Sequence, residues 1–295
     1  MAAIEGLLDI PAAWKAIQPA ELQGVLMVVG APDAGKSTFA RYLFQLLRSH
    51  GQKVAYLDGD PGQSALGPPT TLTLAYGISG NDEPFPAGLA RRYFVGSTTP
   101  QGHMLPTLVG AARLVEAARQ EGVRSIVYDT SGLVDPGQGG LALKSAKIDL
   151  LRPAVIFALQ REQELEPLLL PLRRSQRTRV IDLRPSAAAV SRLSTTRREY
   201  RARQFARYFA GARRVELGWT KVAVLPLPVF RLHRLAALEG QDGFTLALGI
   251  VLEIDRASRQ VTLLTPLHSL AGVNALRLGD VLLDPDTFED ERISR

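Results

Sequence analysis

Gly30-Ala31-Pro32-Asp33-Ala34-Gly35-Lys36-Ser37, read GAPDAGKS, is the stretch that decides the fold. An apolar run at 25–29 precedes it, and an amphipathic segment at 38–48 follows. Strand, glycine loop and helix in that order are the setting that the phosphate-binding pattern G-x-x-x-x-G-K-[ST] requires. Its glycines let successive backbone N–H groups turn inward with no Cβ in the way. The helix start adds its dipole and its unpaired donors. The loop from Gly30 through Asp33, Ala34 and Gly35 to Thr38 is therefore expected to wrap the phosphates of a nucleoside triphosphate. Lys36 would reach the outer phosphates, and the Ser37 hydroxyl would hold Mg²⁺. A plain glycine turn would not need the Lys-Ser pair that ends the motif.

The composition is that of an ordinary globular chain, with 295 residues, 46% of them apolar and 22% charged. It contains no cysteine, which excludes disulfides, thiolate metal sites and cysteine nucleophiles. Four scattered histidines offer no metal-ligand spacing. The N-terminus lacks the basic leader of a signal peptide, and no apolar run approaches the ~18 residues of a membrane span. A cytoplasmic protein with no membrane partner is expected. Its net charge of +6 is unevenly spread. Thirteen arginines lie between Arg173 and Arg214 against only Asp182 and Glu199, leaving about +11 there and about −5 elsewhere. Such polarisation beside a nucleotide-binding core favours a phosphate or nucleic-acid surface over a merely solvated face.

Strand and helix patterns alternate along the chain, which predicts an α/β fold with a mainly parallel, doubly wound sheet. Strands are expected at 25–29, 54–58, 92–95, 125–129, 154–159 and 180–183. Helices are expected at 36–49, 104–120, 140–151, 163–173 and about 190–209. After residue 211 the pattern turns β-rich, with strands expected at 222–225, 245–254, 261–264 and 281–283. The chain thus divides into a lead-in at 1–21, a nucleotide-binding domain at 22–211 and a small β-rich domain at 212–295. The loop at 77–88 is expected to be a flexible surface segment. Ligand loops should gather at the carboxyl ends of the parallel strands.

One such end carries Asp58-Gly59-Asp60-Pro61-Gly62-Gln63. Two acids beside the phosphate loop can reach Mg²⁺ and the γ-phosphate. One would hold a metal-bound water while the other accepts a proton from an attacking hydroxyl. Asp, Gly and Pro also make ordinary turns, and the position at a strand end is what argues for chemistry. Gln63 could orient an acceptor. A third strand ends in Asp129-Thr130-Ser131-Gly132-Leu133, followed by Gly137-Gln138-Gly139-Gly140, and would wall an acceptor site.

These motifs, with Phe94-Val95-Gly96-Ser97-Thr98-Thr99-Pro100 and the arginine segment, occur in an order that resembles one family. It is the polynucleotide 5′-hydroxyl kinases related to the eukaryotic mRNA 3′-end cleavage-factor and pre-ribosomal-RNA-processing kinases. The resemblance covers about residues 22–211. It implies that Gly35, Lys36 and Ser37 bind ATP and that Asp60 activates the 5′-hydroxyl and helps hold Mg²⁺. Asp58 takes the companion position, and Thr130 and Gly132 belong to the T-x-G-W loop that clasps the nucleotide next to the reacting end. The segment from Ser191-Arg192 through Arg197 and Arg201 to Tyr208-Phe209-Ala210-Gly211 is similar to the family's arginine lid. Two departures stand out. Leu133 replaces the clasp tryptophan, and only residues 1–21 stand where the eukaryotic members carry an N-terminal domain. A compact stand-alone kinase of the archaeal and bacterial type fits best.

The expectation is an ATP- and Mg²⁺-dependent kinase of 5′-hydroxyl RNA ends, with DNA ends and GTP or another triphosphate left open. Lys36, Asp58, Asp60, Arg192, Arg197 and Arg201 would be catalytic. Ser37, Asp58 and Asp60 would hold the metal. Gln63, Thr98, Thr130, Gly132 and Leu133 would meet the acceptor, entering between the 94–100 and 130–140 loops. The rivals are a nucleotide-switched regulator whose basic helix binds a protein, a kinase of a small hydroxyl metabolite, and a non-catalytic nucleic-acid binder. The first would need a base-specificity motif such as N-K-x-D, and the chain has none. The second needs no extended basic track, and the third no intact Lys36, Ser37 and Asp60.

Overall fold

A computed structural model describes residues 10–76, 89–185 and 194–293. The chain forms two compact units. One is drawn from Met1–Asp60, Thr73–Ala90 and Thr107–Arg192, the other from Pro61–Leu72, Arg91–Pro106 and Leu193–Arg295. A helical turn, Ala12–Lys15, and a 3₁₀ turn, Pro19–Glu21, lead in. Then come β1 (Gly24–Gly30), α1 (Lys36–Ser49), β2 (Val54–Gly59), β3 (Thr71–Tyr76), β4 (Leu89–Phe94), α2 (Met104–Gln120) and β5 (Ser125–Thr130). They are followed by α3 (Gly140–Leu151), β6 (Val155–Leu159), α4 (Glu166–Ser175), β7 (Arg179–Leu183) and α5 (Ser194–Tyr208). The rest is strand: β8 (Arg213–Gly218), β9 (Ala223–Leu225), β10 (Arg234–Glu239), β11 (Thr245–Asp255), β12 (Gln260–Thr265), β13 (Ala275–Leu283) and β14 (Asp290–Arg292).

The first sheet runs β4-β3-β2-β5-β1-β6-β7. From β2 to β7 every pairing is parallel. The interior strands read as continuous apolar runs because both faces are covered: β1 from Val25 and all of β6 are buried. Helix α1 turns Phe39, Ala40, Leu43, Phe44 and Leu47 inward, the one-sided stripe of a helix lying on a sheet. Trp14 fastens the lead-in, its ring 5.0 Å from that of Phe39, which in turn lies 4.9 Å from Phe157 of β6. The expected α/β, mainly parallel architecture is therefore what the chain adopts. Strand β3 departs from the expectation: it was not predicted, and it pairs antiparallel with β2.

The second sheet is antiparallel in the order β14-β13-β10-β11-β12-β8, with β9 added in parallel to β13. Strand β10 is buried on both faces. Ala236 and Leu238 join one apolar cluster, while Leu235 and Ala237 join another with Phe94, Phe205 and Phe209. Helix α5 thus belongs to the packing of this unit. The C-terminal strands are more numerous than the sequence suggested, since β8, β10 and β14 were not anticipated and β13 starts before residue 281. The expected loop 77–88, and the start of the arginine helix at 190–193 with Arg192, lie outside the described residues. Among the described residues no helix is long and apolar enough to cross a membrane.

Candidate nucleotide and acceptor site

The parallel sheet brings the carboxyl ends of β2, β5 and β1 side by side, so residues far apart in sequence share one edge. Asp58 and Asp129 are direct partners in the β2–β5 register, and Val28 partners Asp129 in the β1–β5 register. Register partners project to the same face, which places the Asp58 and Asp129 carboxylates together beside β1, the strand that feeds the phosphate loop.

The loop has the shape its sequence implied. Gly35 adopts φ +86° at the N-cap of α1, a left-handed conformation that costs glycine nothing. Lys36 is buried, and its Nζ donates to the Ala31 carbonyl at 2.7 Å, so the ammonium is tied to the loop it serves. Ser37 and Thr38 are exposed at the helix start. A residue the sequence reading did not single out, Arg161, reaches the loop from the end of β6 and donates to the Asp33 carbonyl at 3.1 Å.

The acid loop is shaped by a close contact. A Cβ on Gly59 would lie 2.2 Å from the Tyr128 ring, so only glycine lets β2 run this close to β5. Beyond it the Asp60 amide donates to Asp58 Oδ1 at 3.3 Å, a short turn that sets the two acids apart. Asp58 is buried and Asp60 half-buried.

Asp129 is the site residue whose weight the sequence reading missed. Burial pushes its carboxyl above the usual carboxylate range, while the Ser37 hydroxyl and the Lys36 charge pull it back toward ionisation. Tyr56 donates to Oδ2 at 3.1 Å, and Oδ1 is buried with no hydrogen-bond partner. An orphaned carboxylate oxygen beside a phosphate-loop serine fits a hard divalent cation, which takes oxygen ligands and, as Mg²⁺, shares them with phosphates. Asp129, Ser37, Asp58 and Asp60 are therefore the residues that could hold Mg²⁺. Among the described residues no three acids or histidines close into an all-protein cage, and Mg²⁺ does not need one. The signal was available in the sequence as an acid closing an apolar strand.

The loop after β5 is fixed from two sides. A Cβ on Gly132 would sit 2.8 Å from Cα of Pro32 in the phosphate loop, and one on Gly140 would sit 2.8 Å from the Leu133 carbonyl. Thr130, Ser131 and Gly132 are buried and Leu133 is half-buried. Thr130 faces inward, its hydroxyl donating to the Val28 carbonyl at 2.7 Å and accepting from Lys144 Nζ at 3.0 Å. Lys144 and Lys147 lie on α3, both fully buried, and neither was foreseen. Burial lowers the Lys144 amine well below the usual lysine range, helped by the charges of Lys147 and Lys36. Burial also pushes Lys147 down to about 7, opposed by Asp60, and its Nζ lies 5.0 Å over the Tyr128 ring.

In the second unit, helix α5 docks on the segment after the acid loop. Tyr200 Oη donates to the Ser64 carbonyl at 3.0 Å, and Gln63 Nε2 approaches the Arg197 carbonyl at 3.4 Å. Gln63 and the expected lid are thus brought together. Arg201 donates through Nε to Asp290 Oδ1 at 2.7 Å, and its partner is only 3% exposed. Thr98 is half-buried in the 95–103 turn. The basic segment is less free than its charge count suggests. Arg173 bridges Glu166 and Asp182, Arg179 meets Glu21, and Arg214 meets Glu253, in addition to the Arg201–Asp290 pair. Arg198, Arg203 and Arg207 remain exposed on α5.

Known proteins resemble this chain in sequence and in fold. The chain is 31% identical to a polyribonucleotide 5′-hydroxyl kinase of Methanocaldococcus jannaschii, over 70% of this chain and 56% of the relative. It is 35% identical to the Thermococcus kodakarensis protein of that name, over 70% and 57%. The chain thus spans little more than half the length of those two relatives. With the Pyrococcus furiosus protein of the same name the identity is 26%, but the match covers 94% of this chain and 92% of the relative. Among solved structures, that of the wild-type Clp1p–Pcf11p complex superposes with a TM-score of 0.66 at 12% identity, over 88% of this chain and 74% of that one. The sequence profile described as mRNA cleavage and polyadenylation factor CLP1 P-loop matches residues 30–211, from the first glycine of the phosphate loop to the end of the arginine segment. By that match the chain belongs to the CLP1 P-loop family.

Proposed function

We propose that this chain is an ATP- and Mg²⁺-dependent kinase that transfers the γ-phosphate to the 5′-hydroxyl of RNA. One observation carries the reading: Lys36, Ser37, Asp58, Asp60 and Asp129 converge at three adjacent strand ends, in a family whose relatives bear the name polyribonucleotide 5′-hydroxyl kinase. Residues 22–211 act as the kinase domain, and 212–295 as a C-terminal β domain.

The backbone of residues 30–38 cradles the phosphates, and Lys36 exchanges the Ala31 carbonyl for the outer phosphate oxygens. Ser37, Asp129, Asp58 and Asp60 would hold Mg²⁺, which would supply positive charge to the phosphates of the bound nucleotide. The half-buried Asp60 takes the proton of the 5′-hydroxyl as that oxygen bonds to the γ-phosphorus. The bond to the bridging oxygen breaks, and ADP leaves with it. Arg201, which donates through Nε to Asp290, acts on the transferring phosphoryl group. Arg197 acts with it, as does Arg192 from outside the described residues. Gln63, Thr98 and the 130–133 loop position the acceptor end.

The test incubates the protein with γ-labelled ATP, Mg²⁺ and 5′-hydroxyl RNA and DNA oligonucleotides of equal sequence. Label should enter the RNA, and the DNA arm measures how strictly the acceptor sugar is read. Competition by unlabelled GTP reports donor selectivity. Release of labelled inorganic phosphate with no labelled oligonucleotide would overturn the reading in favour of a nucleotide-switched regulator.

A further inference from the structure

We propose that Lys144 is a positioning residue that fixes the loop Thr130–Leu133 against the phosphate loop, and that this buried pin sets the grip on the acceptor end. The inference rests on the kinase reading above. Lys144 is 2% exposed, and its Nζ donates both to Thr130 Oγ1 at 3.0 Å and to the Ser131 carbonyl at 2.8 Å. Thr130 passes the connection on, its own hydroxyl donating to the Val28 carbonyl at 2.7 Å, two residues before the phosphate loop begins. Lysine, threonine and β1 backbone thus form one hydrogen-bonded line from α3 through the acceptor loop to the nucleotide side.

Three features show that this line exists for the loop rather than for packing. First, burying an amine is costly, and an apolar side chain of similar volume would serve a helix–sheet contact at least as well. Second, 29 of the chain's 35 basic residues are arginine, yet lysine stands here. A compact amine with rotatable donors can serve a hydroxyl and a carbonyl on adjacent residues, whereas a rigid, permanently charged guanidinium fork cannot. Third, the loop's other contacts are glycines that admit backbone and nothing else, Gly132 on Pro32 and Gly140 under Leu133. With leucine at 133 the loop itself offers no aromatic ring to a base, so it acts through its backbone shape. Thr130 acts on the acceptor through that shape, since its hydroxyl is engaged on both sides within the protein.

The experiment compares wild type, Lys144→Met, Thr130→Val and the double variant in the labelled-ATP assay. Each is measured for oligonucleotide KM, kcat, ATP Kd and melting temperature. A lost pair of buried hydrogen bonds predicts an oligonucleotide KM raised about ten-fold or more in Lys144→Met, with ATP Kd within about two-fold of wild type. Thr130→Val should give the same change, and the double variant no more than the larger single effect, because both cut one line. Lys144→Arg should not restore the KM. Should Lys144→Met fail to fold, Thr130→Val, which keeps the volume, carries the comparison. Wild-type KM in either folded variant overturns the proposal, whatever the melting temperature does. A KM and an ATP Kd that rise together overturn it too, because the lysine would then serve the nucleotide loop. A wild type that transfers no label to RNA defeats the kinase reading itself, which is a different result.

Discussion

The buried lysines and the arginines of this chain occupy opposite environments. Three of its six lysines, Lys36, Lys144 and Lys147, are buried at the carboxyl edge of the parallel sheet. Among the described residues no arginine is buried with them. Arg173, Arg179, Arg201 and Arg214 are engaged by acids, and Arg198, Arg203 and Arg207 are exposed on α5. The difference follows from the side chains. A lysine can shed its proton when water is withdrawn, so burial lowers its affinity for the proton and spares the fold a stranded charge. A guanidinium stays charged and must keep either an acid or water beside it. The chain therefore uses lysine where geometry is fixed in a dry interior and arginine where a charge keeps an acid or water beside it.

Substitutions at the sheet edge should break this comparison most severely. Lys36→Ala and Asp60→Asn should each lower kcat for oligonucleotide phosphorylation by at least about a thousand-fold. Asp60→Asn should leave ATP Kd within a few-fold of wild type, because a proton acceptor matters during transfer rather than binding. Parallel loss of affinity and turnover in Asp60→Asn would assign that acid to binding.

On the arginine helix the effects should divide by environment. Arg201→Ala removes the partner of a buried carboxylate, and breaking such a pair costs about 3–5 kcal/mol of stability. Asp290→Asn removes the charge that holds the guanidinium through Nε. It should therefore reduce kcat about ten-fold or more, with an unchanged salt dependence. Arg203 is exposed, and Arg203→Ala should instead raise oligonucleotide KM and reduce the salt slope by about one unit. Identical small KM effects from Asp290→Asn and Arg203→Ala would reduce the helix to a diffuse basic face.

The smallest expected effect sharpens the lysine side. The Lys147 amine is pushed down to about 7 in the fold, chiefly by burial, against about 10.4 in the unfolded chain. Between those values the unfolded chain binds the extra proton, so this group makes stability rise with pH from about 7 toward 10. Below pH 7 the penalty is present in full. Lys147→Met should remove that slope, on the order of 1 kcal/mol per pH unit, and raise the melting temperature more at pH 6 than at pH 9. Parallel melting curves at both pH values would show that the amine is solvated in solution.

Much of the site was legible because covalent spacing encodes it. GAPDAGKS carries its own strand, nest and helix start within eight residues, and DGDPGQ carries its own turn. What escaped was encoded only in register. Asp129 becomes a companion of Ser37 and Asp58 through the β1–β5 and β2–β5 ladders, which no local window reveals. Lys144 reads as one more polar residue of α3 until the Thr130 hydroxyl is seen beside it. Strand β10 was missed for a different reason. Its sequence, RLAALE, is buried on both faces, so it lacks the alternation of a half-buried strand and is built from good helix formers. Strand β3 was passed over because the α/β rhythm predicts parallel crossovers, and an antiparallel neighbour of β2 falls outside that rhythm.

The glycine contact between the loop after β5 and the phosphate loop has a consequence for anyone who would re-engineer acceptor choice. With Gly132 lying against Pro32 and Gly140 against Leu133, the three segments interlock like parts cut from one block. A clasp loop transplanted from a tryptophan-bearing relative would arrive with a backbone path cut for that relative's own phosphate loop. Residues 30–37, 130–134 and 139–144 should therefore be exchanged as a single cassette. A chimaera that swaps only the clasp would misalign the nucleotide before it ever met a new acceptor.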